Sequence, residues 1–243
     1  VNLPETEANH ATRVLRLKDG DTVEAIDGQG HSVPAILRVH GGPVRLELPT
    51  ATPQSKTDVP GAIVPLILEM AVLKGDAMEW TVEKTVELGI RRLIPVLTAH
   101  TVVQIKSKGP EAFRERWQKI ADQALKQCGR LERLKIDLPT PLTELMPAQK
   151  TDCPRLWCDE AAASGKDPDL LSALGEAWSA DELRLLIGPE GGWSSEEREM
   201  LAKAARKVTL GPLVLRAETA AIQALSLASA TYRTAKLLTK KHG

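Results

Sequence analysis

The sequence predicts a mixed α/β protein, with a mostly parallel sheet flanked by helices and a small β-barrel in front of it. Three observations carry this. From residue 62 onward, short apolar strand-like segments alternate with segments of helical period, the pattern of a doubly covered sheet. Residues 1–48 instead hold short apolar runs cut by Gly- and Asp-rich turn signals, which read as hairpins. Between the two, PTATPQSKTDVPG (49–61) carries three prolines and no apolar period, the composition of a linker. Residues 1–57 are therefore assigned to a small domain with its linker, and 58–243 to a larger one that is long enough to bury a sizeable core.

In the first part, Thr22–Ile26, Val33–Val39 and Val44–Leu48 are the strand candidates. Asp19-Gly20-Asp21, Asp27-Gly28-Gln29-Gly30 and Gly41-Gly42-Pro43 separate them. In Thr12–Leu17, Arg13 and Arg16 lie three apart, so a helical turn would place them on one face. In the second part, the apolar, β-branched run Ala62–Leu73 reads as a strand. Asp76 can cap a helix through Leu88, closed by Gly89. Ile90–Leu97 is strand-like. Phe113, Trp117, Ile120, Ala121, Ala124 and Cys128 recur at helical spacing and define the buried face of a long helix. Leu156–Cys158, Leu183–Ile187 and Val208–Leu210 are further strands. Helices begin near Ser194 and run from about Glu218 to Leu238.

Composition excludes several function classes. The 243 residues carry 32 Lys plus Arg against 32 Asp plus Glu, a formal charge of zero. Bulk attraction to nucleic acid is therefore out. One Phe, one Tyr and five Trp are too few for a platform that stacks many bases. No apolar run approaches a membrane span, and the opening VNLPETEANH lacks a signal pattern. Cys128, Cys153 and Cys158 fit no zinc spacing, so they are expected to be reduced and mostly buried in a cytoplasmic protein without metal. Charge is nevertheless uneven. Residues 100–135 hold nine bases against four acids, and residues 152–182 hold eight acids against two bases. A basic flank on a neutral body suits an enzyme that docks locally on RNA.

Two loops carry the chemistry. In Leu186-Ile187-Gly188-Pro189-Glu190-Gly191-Gly192-Trp193-Ser194-Ser195-Glu196-Glu197, an apolar strand enters a glycine-rich loop and then a helix. Ser194 and Glu197 have the spacing of a capping box. Glycines let the backbone approach a ligand at a strand's C-terminal end, where open α/β sheets bind theirs. The loop has no Gly-Lys-Ser/Thr and no GxGxxG, and Glu190 would repel phosphate, so a neutral or cationic ligand fits better. In Leu210-Gly211-Pro212-Leu213-Val214-Leu215-Arg216-Ala217-Glu218-Thr219-Ala220, a short strand turns into a helix through Arg216 and Glu218. Both loops can converge on one pocket.

Together, LLIGPEGGWSSEE and LGPLVLRAETAAIQAL resemble the knotted SPOUT methyltransferases, and in particular the bacterial 16S rRNA uracil-N3 methyltransferase family (RsmE). VLRLKDGD at 14–21 is similar to the start of that family's PUA-like RNA-binding domain. Lys74-Gly75-Asp76-Ala77-Met78-Glu79-Trp80 and Gln127-Cys128-Gly129-Arg130 resemble parts of its catalytic domain. Trp193 stands where the family has Phe, Ala217 where it has Thr, and Thr98-Ala99-His100-Thr101 where it has a Ser-Glu-Arg-Ser-like stretch.

The resemblance implies a C-terminal trefoil-knot domain behind a PUA-like barrel. It implies a homodimer, S-adenosylmethionine as cofactor, and 16S rRNA within the small ribosomal subunit as substrate. Carried onto this sequence, the cofactor pocket comprises Leu186, Gly188, Glu190 and Gly191 of the first loop. The second contributes Leu210, Gly211, Leu215, Arg216, Thr219 and Ala220. Arg216 is the candidate for stabilising charge on a uracil oxygen, and Glu218 or Glu190 is the candidate base. Trp193 or an arginine would stack the extruded base. Arg13, Arg16 and Lys18, with Lys106, Lys108 and Arg130, are the candidate RNA contacts, along with Arg91, Arg92, Arg114, Arg116 and Arg133. Two other readings fit the same loops: a related enzyme acting on another RNA base or a ribose hydroxyl, and an RNA-binding homologue without catalysis.

Overall fold

The computed structural model describes residues 1–48, 54–55, 63–103, 105, 109–146, 153–164, 166–178 and 181–240. The chain divides into two compact units, Val1–Val59 and Pro60–Gly243.

In the first unit, strands β1 (Thr22–Ile26), β2 (His31–Arg38), β3 (Arg45–Glu47) and β4 (Gln54–Ser55) form an antiparallel sheet. Period-two burial explains β2: Ala35 and Leu37 point inward and Pro34 and Ile36 outward. The β1–β2 turn is built by Asp27, whose carboxylate accepts the N–H groups of Gln29 at 2.6 Å and His31 at 3.1 Å. Ahead of the sheet, helix α1 (Glu5–Asn9) runs into a π-helical turn at His10–Val14. Arg16 lies beyond that turn with φ +55°, so it shares no helical face with Arg13, contrary to the spacing argument.

In the second unit, seven strands pair in parallel among the described residues. They are β5 (Val64–Ala71), β6 (Ile90–Leu97), β7 (Lys135–Ile136), β8 (Thr140–Pro141), β9 (Arg155–Cys158), β10 (Leu183–Ile187) and β11 (Arg206–Val208). The order is β11-β9-β10-β5-β6-β7, with β8 also on β6. Every residue of β5 is buried, as expected for a parallel strand covered on both faces. The helices are α2 (Gly75–Glu87), α3 (Pro110–Cys128), α4 (Leu142–Leu145), α5 (Leu170–Ala177), α6 (Ser195–Ala204) and α7 (Ala217–Lys240). Helices α3, α2, α7 and α5 pack successively on one another. On another side, Leu142, Met146 and Leu201 close a cluster with Val96, Trp157, Leu186 and Trp193. No helix among the described residues is long and apolar enough to cross a membrane.

Local details differ from the sequence reading. Lys74, not Asp76, occupies the N-cap of α2, and Asp76 sits in the first turn. On α3, Trp117, Ala121, Ala124 and Leu125 form the buried face. Cys128, the last residue of that helix, is exposed; Cys153 is half-buried, and only Cys158 is buried. Strand β11 ends at Val208, so Leu210 already belongs to the loop.

Candidate active site

The C-terminal ends of β9, β10 and β11 enclose a cavity of about 700 Å³, within the range of roughly 300–1,000 Å³ common for small-molecule sites. Ile187, Leu210, Leu213, Val214 and Leu215 supply its apolar wall. Asp159, Glu160, Glu190 and Glu218 line it beside a single guanidinium, Arg216. Counting the Arg198 guanidinium bound to Asp159 and Glu160, four carboxylates stand against two cations, a net negative field that favours a positively charged ligand.

The loop after β10 is fixed by its own chemistry. The Ser194 hydroxyl accepts the Glu197 N–H at 3.2 Å, and the Glu197 carboxylate accepts the Ser194 N–H at 2.9 Å. This capping box sets the start of α6. A Cβ on Gly188 would lie 2.8 Å from the Trp193 ring. One on Gly192, at φ +67°, would lie 2.7 Å from the Glu160 carboxylate. Gly188 therefore takes glycine because of close approach, and Gly192 because of its left-handed backbone.

Four side chains tie this loop to its neighbours. Glu190 accepts the Lys74 N–H at 3.2 Å, at the start of α2. Glu197 also accepts the Ala99 N–H at 2.8 Å. His100 Nδ1 lies 2.9 Å from the Gly192 carbonyl, and since a carbonyl only accepts, that nitrogen carries the proton. Arg198 donates to the Trp193 carbonyl at 2.8 Å, to Asp159 at 3.0 and 3.3 Å, and to Glu160 at 2.5 Å. Burial pushes the Asp159 carboxyl up, but hydrogen bonds from Arg198 and the Ala161 N–H leave it below its ordinary value. Its hydrogen bond to Asp159 raises Arg198 in turn. Beside them, burial and then the Asp159 charge push the Cys158 thiol up to about 12.

The loop after β11 is held by Thr209, whose hydroxyl donates to the Gly211 carbonyl and accepts its N–H, each at 3.1 Å. Gln223 of α7 donates to the Leu210 carbonyl at 2.9 Å. Arg216 is exposed at the cavity and Glu218 half-buried in the first turn of α7.

Gly188, Glu190, Gly191, Leu210, Gly211, Leu215, Arg216, Glu218 and Ala220 therefore line one cavity. Two proposed members do not. Leu186 is fully buried in the cluster with Leu142 and Leu201, because successive strand residues face opposite sides and Ile187 is the one that lines the cavity. Thr219 is exposed outside the lining. Trp193 is only 3% exposed, edge-on to Trp157 at 6.5 Å, with its indole N–H on the Cys158 carbonyl. It offers no face to a base.

Among the RNA candidates, Arg13, Arg16 and Lys18 are exposed. Lys106 and Lys108 lie outside the described residues. Arg130 is a correction: it is buried, donating to the carbonyls of Glu132, Ile90 and Val86, and burial lowers it to about 10. Gly129, left-handed at φ +72°, closes α3, and the next side chain, Arg130, reaches the end of α2 and the start of β6. Arg92, Arg116 and Arg133 are paired with Asp137, Glu79 and Asp122. Sequence reasoning missed Asp159, Glu160, Ile187 and Arg198. The acidic pair directly after a strand, Cys158-Asp159-Glu160, was the signal that could have found the first two.

A family described as an RNA methyltransferase domain matches residues 61–229, and one described as an RNA methyltransferase PUA domain matches residues 3–39. The ribosomal RNA small subunit methyltransferase E of Synechocystis is 31% identical over 229 residues, covering 93% of this chain and 71% of that one. The protein of the same name from Bacillus subtilis is 28% identical over 225 residues, 92% and 87% of the two chains. A Legionella pneumophila putative methyltransferase, solved with bound SAM, superposes with a TM-score of 0.79 at 26% identity, covering 95% of this chain and 91% of that one. The chain belongs to the RNA methyltransferase family, among the relatives named ribosomal RNA small subunit methyltransferase E.

Proposed function

We propose that this chain transfers a methyl group from S-adenosylmethionine to N3 of one uridine in 16S rRNA. The observation that carries this is the acid-rich, apolar-walled cavity between the loops after β10 and β11, with Arg216 and Glu218 on its lining. The residues present fit the cofactor. Backbone N–H and C=O groups of the glycine-bearing loops suit a purine edge, Ile187, Leu210 and Leu215 suit its faces, and the carboxylates suit a sulfonium. When bound, the cofactor supplies an electrophilic methyl group.

The chain's own groups prepare the nucleophile. Uracil N3 is protonated at neutral pH and must lose that proton. Glu218 accepts it, a step of a kind that contributes roughly 10²–10⁴-fold. Arg216 stabilises the negative charge that develops on the adjacent carbonyl oxygen. Glu190, bonded to the Lys74 N–H, is a wall charge rather than the base. Because N3 lies on the Watson–Crick edge, the nucleotide is taken unpaired.

In this reading the C-terminal loops form the SPOUT trefoil knot. It is supported by the chain path from edge strand β11 back to α7, which packs on β10 and β5 in mid-sheet. The first unit acts as a PUA-like RNA-binding barrel, with Arg13, Arg16 and Lys18 as phosphate contacts. The enzyme works as a homodimer on the small ribosomal subunit in the cytoplasm, and exposed Leu213, Val214, Leu237 and Leu238 offer apolar surface to a second copy.

The test is mass-spectrometric mapping of 16S rRNA from cells with and without the protein. One N3-methyluridine should disappear with it, and an unchanged map, or loss of a different modification, overturns the reading.

A further inference from the structure

Arg198 stands where a cation does not help its own helix. It lies in the first turn of α6, beside the positive end of the helix dipole. Its partners are tertiary instead. One guanidinium bridges the Trp193 carbonyl, both oxygens of Asp159 and an oxygen of Glu160. Asp159 has a side chain only 1% exposed, so it needs a charged partner to be buried. Asp159, Glu160, Gly192 and Trp193 all line the cavity. Glu160 and Gly192 are already in contact, since a Cβ on Gly192 would lie 2.7 Å from the Glu160 oxygen. Only a planar fork can meet two carboxylates and a carbonyl together.

We propose that Arg198 is a positioning residue that clamps the Asp159–Glu160 corner to the Gly192–Trp193 turn, and thereby sets the width and charge of the cavity its ligand enters. This rests on the reading of that cavity as the S-adenosylmethionine site. Without the clamp, two neighbouring carboxylates repel each other and the turn loses its anchor, so the ligand meets a wider and less ordered cleft, a loss of positioning that outweighs the added negative field. The barrier to methyl transfer itself, which Arg216 and Glu218 govern, is left in place.

The experiment compares wild type, Arg198→Met and Arg198→Lys as full chains. It measures S-adenosylmethionine and S-adenosylhomocysteine binding by calorimetry, steady-state kinetics in each substrate, and hydrogen exchange of the two loops. Arg198→Met should raise KM for S-adenosylmethionine roughly tenfold or more, keep kcat within about threefold, and leave KM for RNA unchanged. Exchange should rise in residues 159–162 and 189–194 but not in β11. Arg198→Lys should recover part of the loss, because an ammonium reaches one carboxylate but cannot bridge all three partners. A KM for S-adenosylmethionine within twofold of wild type, or an equal rise in KM for both substrates, overturns the clamp. If wild type binds neither compound, the function reading fails, and the role given to Arg198 fails with it.

Discussion

Glu197 and Ala99 meet across 98 residues of chain: the carboxylate accepts the backbone N–H at 2.8 Å while its other oxygen closes the capping box on Ser194. One side chain thus ends a loop, starts a helix and anchors the turn after β6. Glu197→Ala should lower stability by about 1–3 kcal/mol, through loss of the cap and an unpaired N–H. Glu197→Gln should fall between the two, since its amide group can accept at only one of the two N–H groups. Urea unfolding midpoints measure this, and an alanine variant matching wild type would mean that the clamp contributes nothing.

Gly188, on the cavity's lining, packs directly against the Trp193 ring. A methyl group there would lie 2.8 Å from one Trp193 ring carbon and 2.9 Å from its ring nitrogen. The ring cannot yield easily, because it is enclosed by Trp157, Leu186 and Leu201. Gly188→Ala should therefore destabilise by about 1–3 kcal/mol and weaken S-adenosylhomocysteine binding. Calorimetry with a stability control separates the two effects, and an unaltered midpoint would show that the indole has room to move.

Buried in mid-sheet, Glu69 of β5 accepts from Arg155 of β9 at 2.7 and 2.9 Å and from Arg184 of β10 at 2.9 Å. Removing one partner of such a cluster leaves buried charge without compensation. Glu69→Gln should lose about 3–5 kcal/mol of stability. Replacing all three residues by apolar ones of similar volume should recover much of that loss. A triple variant less stable than the single one would contradict this account.

Much of this was legible because it is local. Alternating strands and helices, the Ser194–Glu197 box and the glycine loops are short-range patterns, whereas the roles proposed for Arg216 and Glu218 come from the resemblance of their loop to a known family. What escaped depends on facing and on contacts distant in sequence. A strand buried on both sides is apolar at every position, so nothing in Leu183–Ile187 shows that Ile187 rather than Leu186 meets the cavity. Arg130 reads as a surface cation until its bonds to the Val86 and Ile90 carbonyls, 44 and 40 residues back, show it buried. Trp193 reads as a stacking face until Trp157, 36 residues away, covers it. The Arg198 clamp joins residues 38 and 39 apart, which no periodicity can reveal.

Arg13, Arg16 and Lys18 present three exposed cations on the first unit. Reversing all three to Glu should weaken RNA binding and reduce the slope of log affinity against log salt by about 2. S-adenosylmethionine affinity should stay at its wild-type value. Titrations at several salt concentrations measure the slope, and an unchanged one removes these residues from the RNA interface.

The three cysteines should separate by burial. Cys128 is exposed, while Cys158 is enclosed, its thiol pushed up to about 12 by burial and then by the Asp159 charge. Alkylation of the folded protein at about pH 8 should therefore modify Cys128 first and leave Cys158 intact until unfolding. The same shift ties stability to pH. The folded thiol titrates above its ordinary value of 9.0, so its contribution is fully present below that pH and is lost as pH climbs toward the folded value. Burial raises Cys153 as well, which adds a change of the same sign. Between about pH 8 and about pH 10 the unfolding midpoint of wild type should fall more steeply than that of Cys158→Ala. Parallel curves for the two proteins would show that the Cys158 thiol does not carry the alkaline loss.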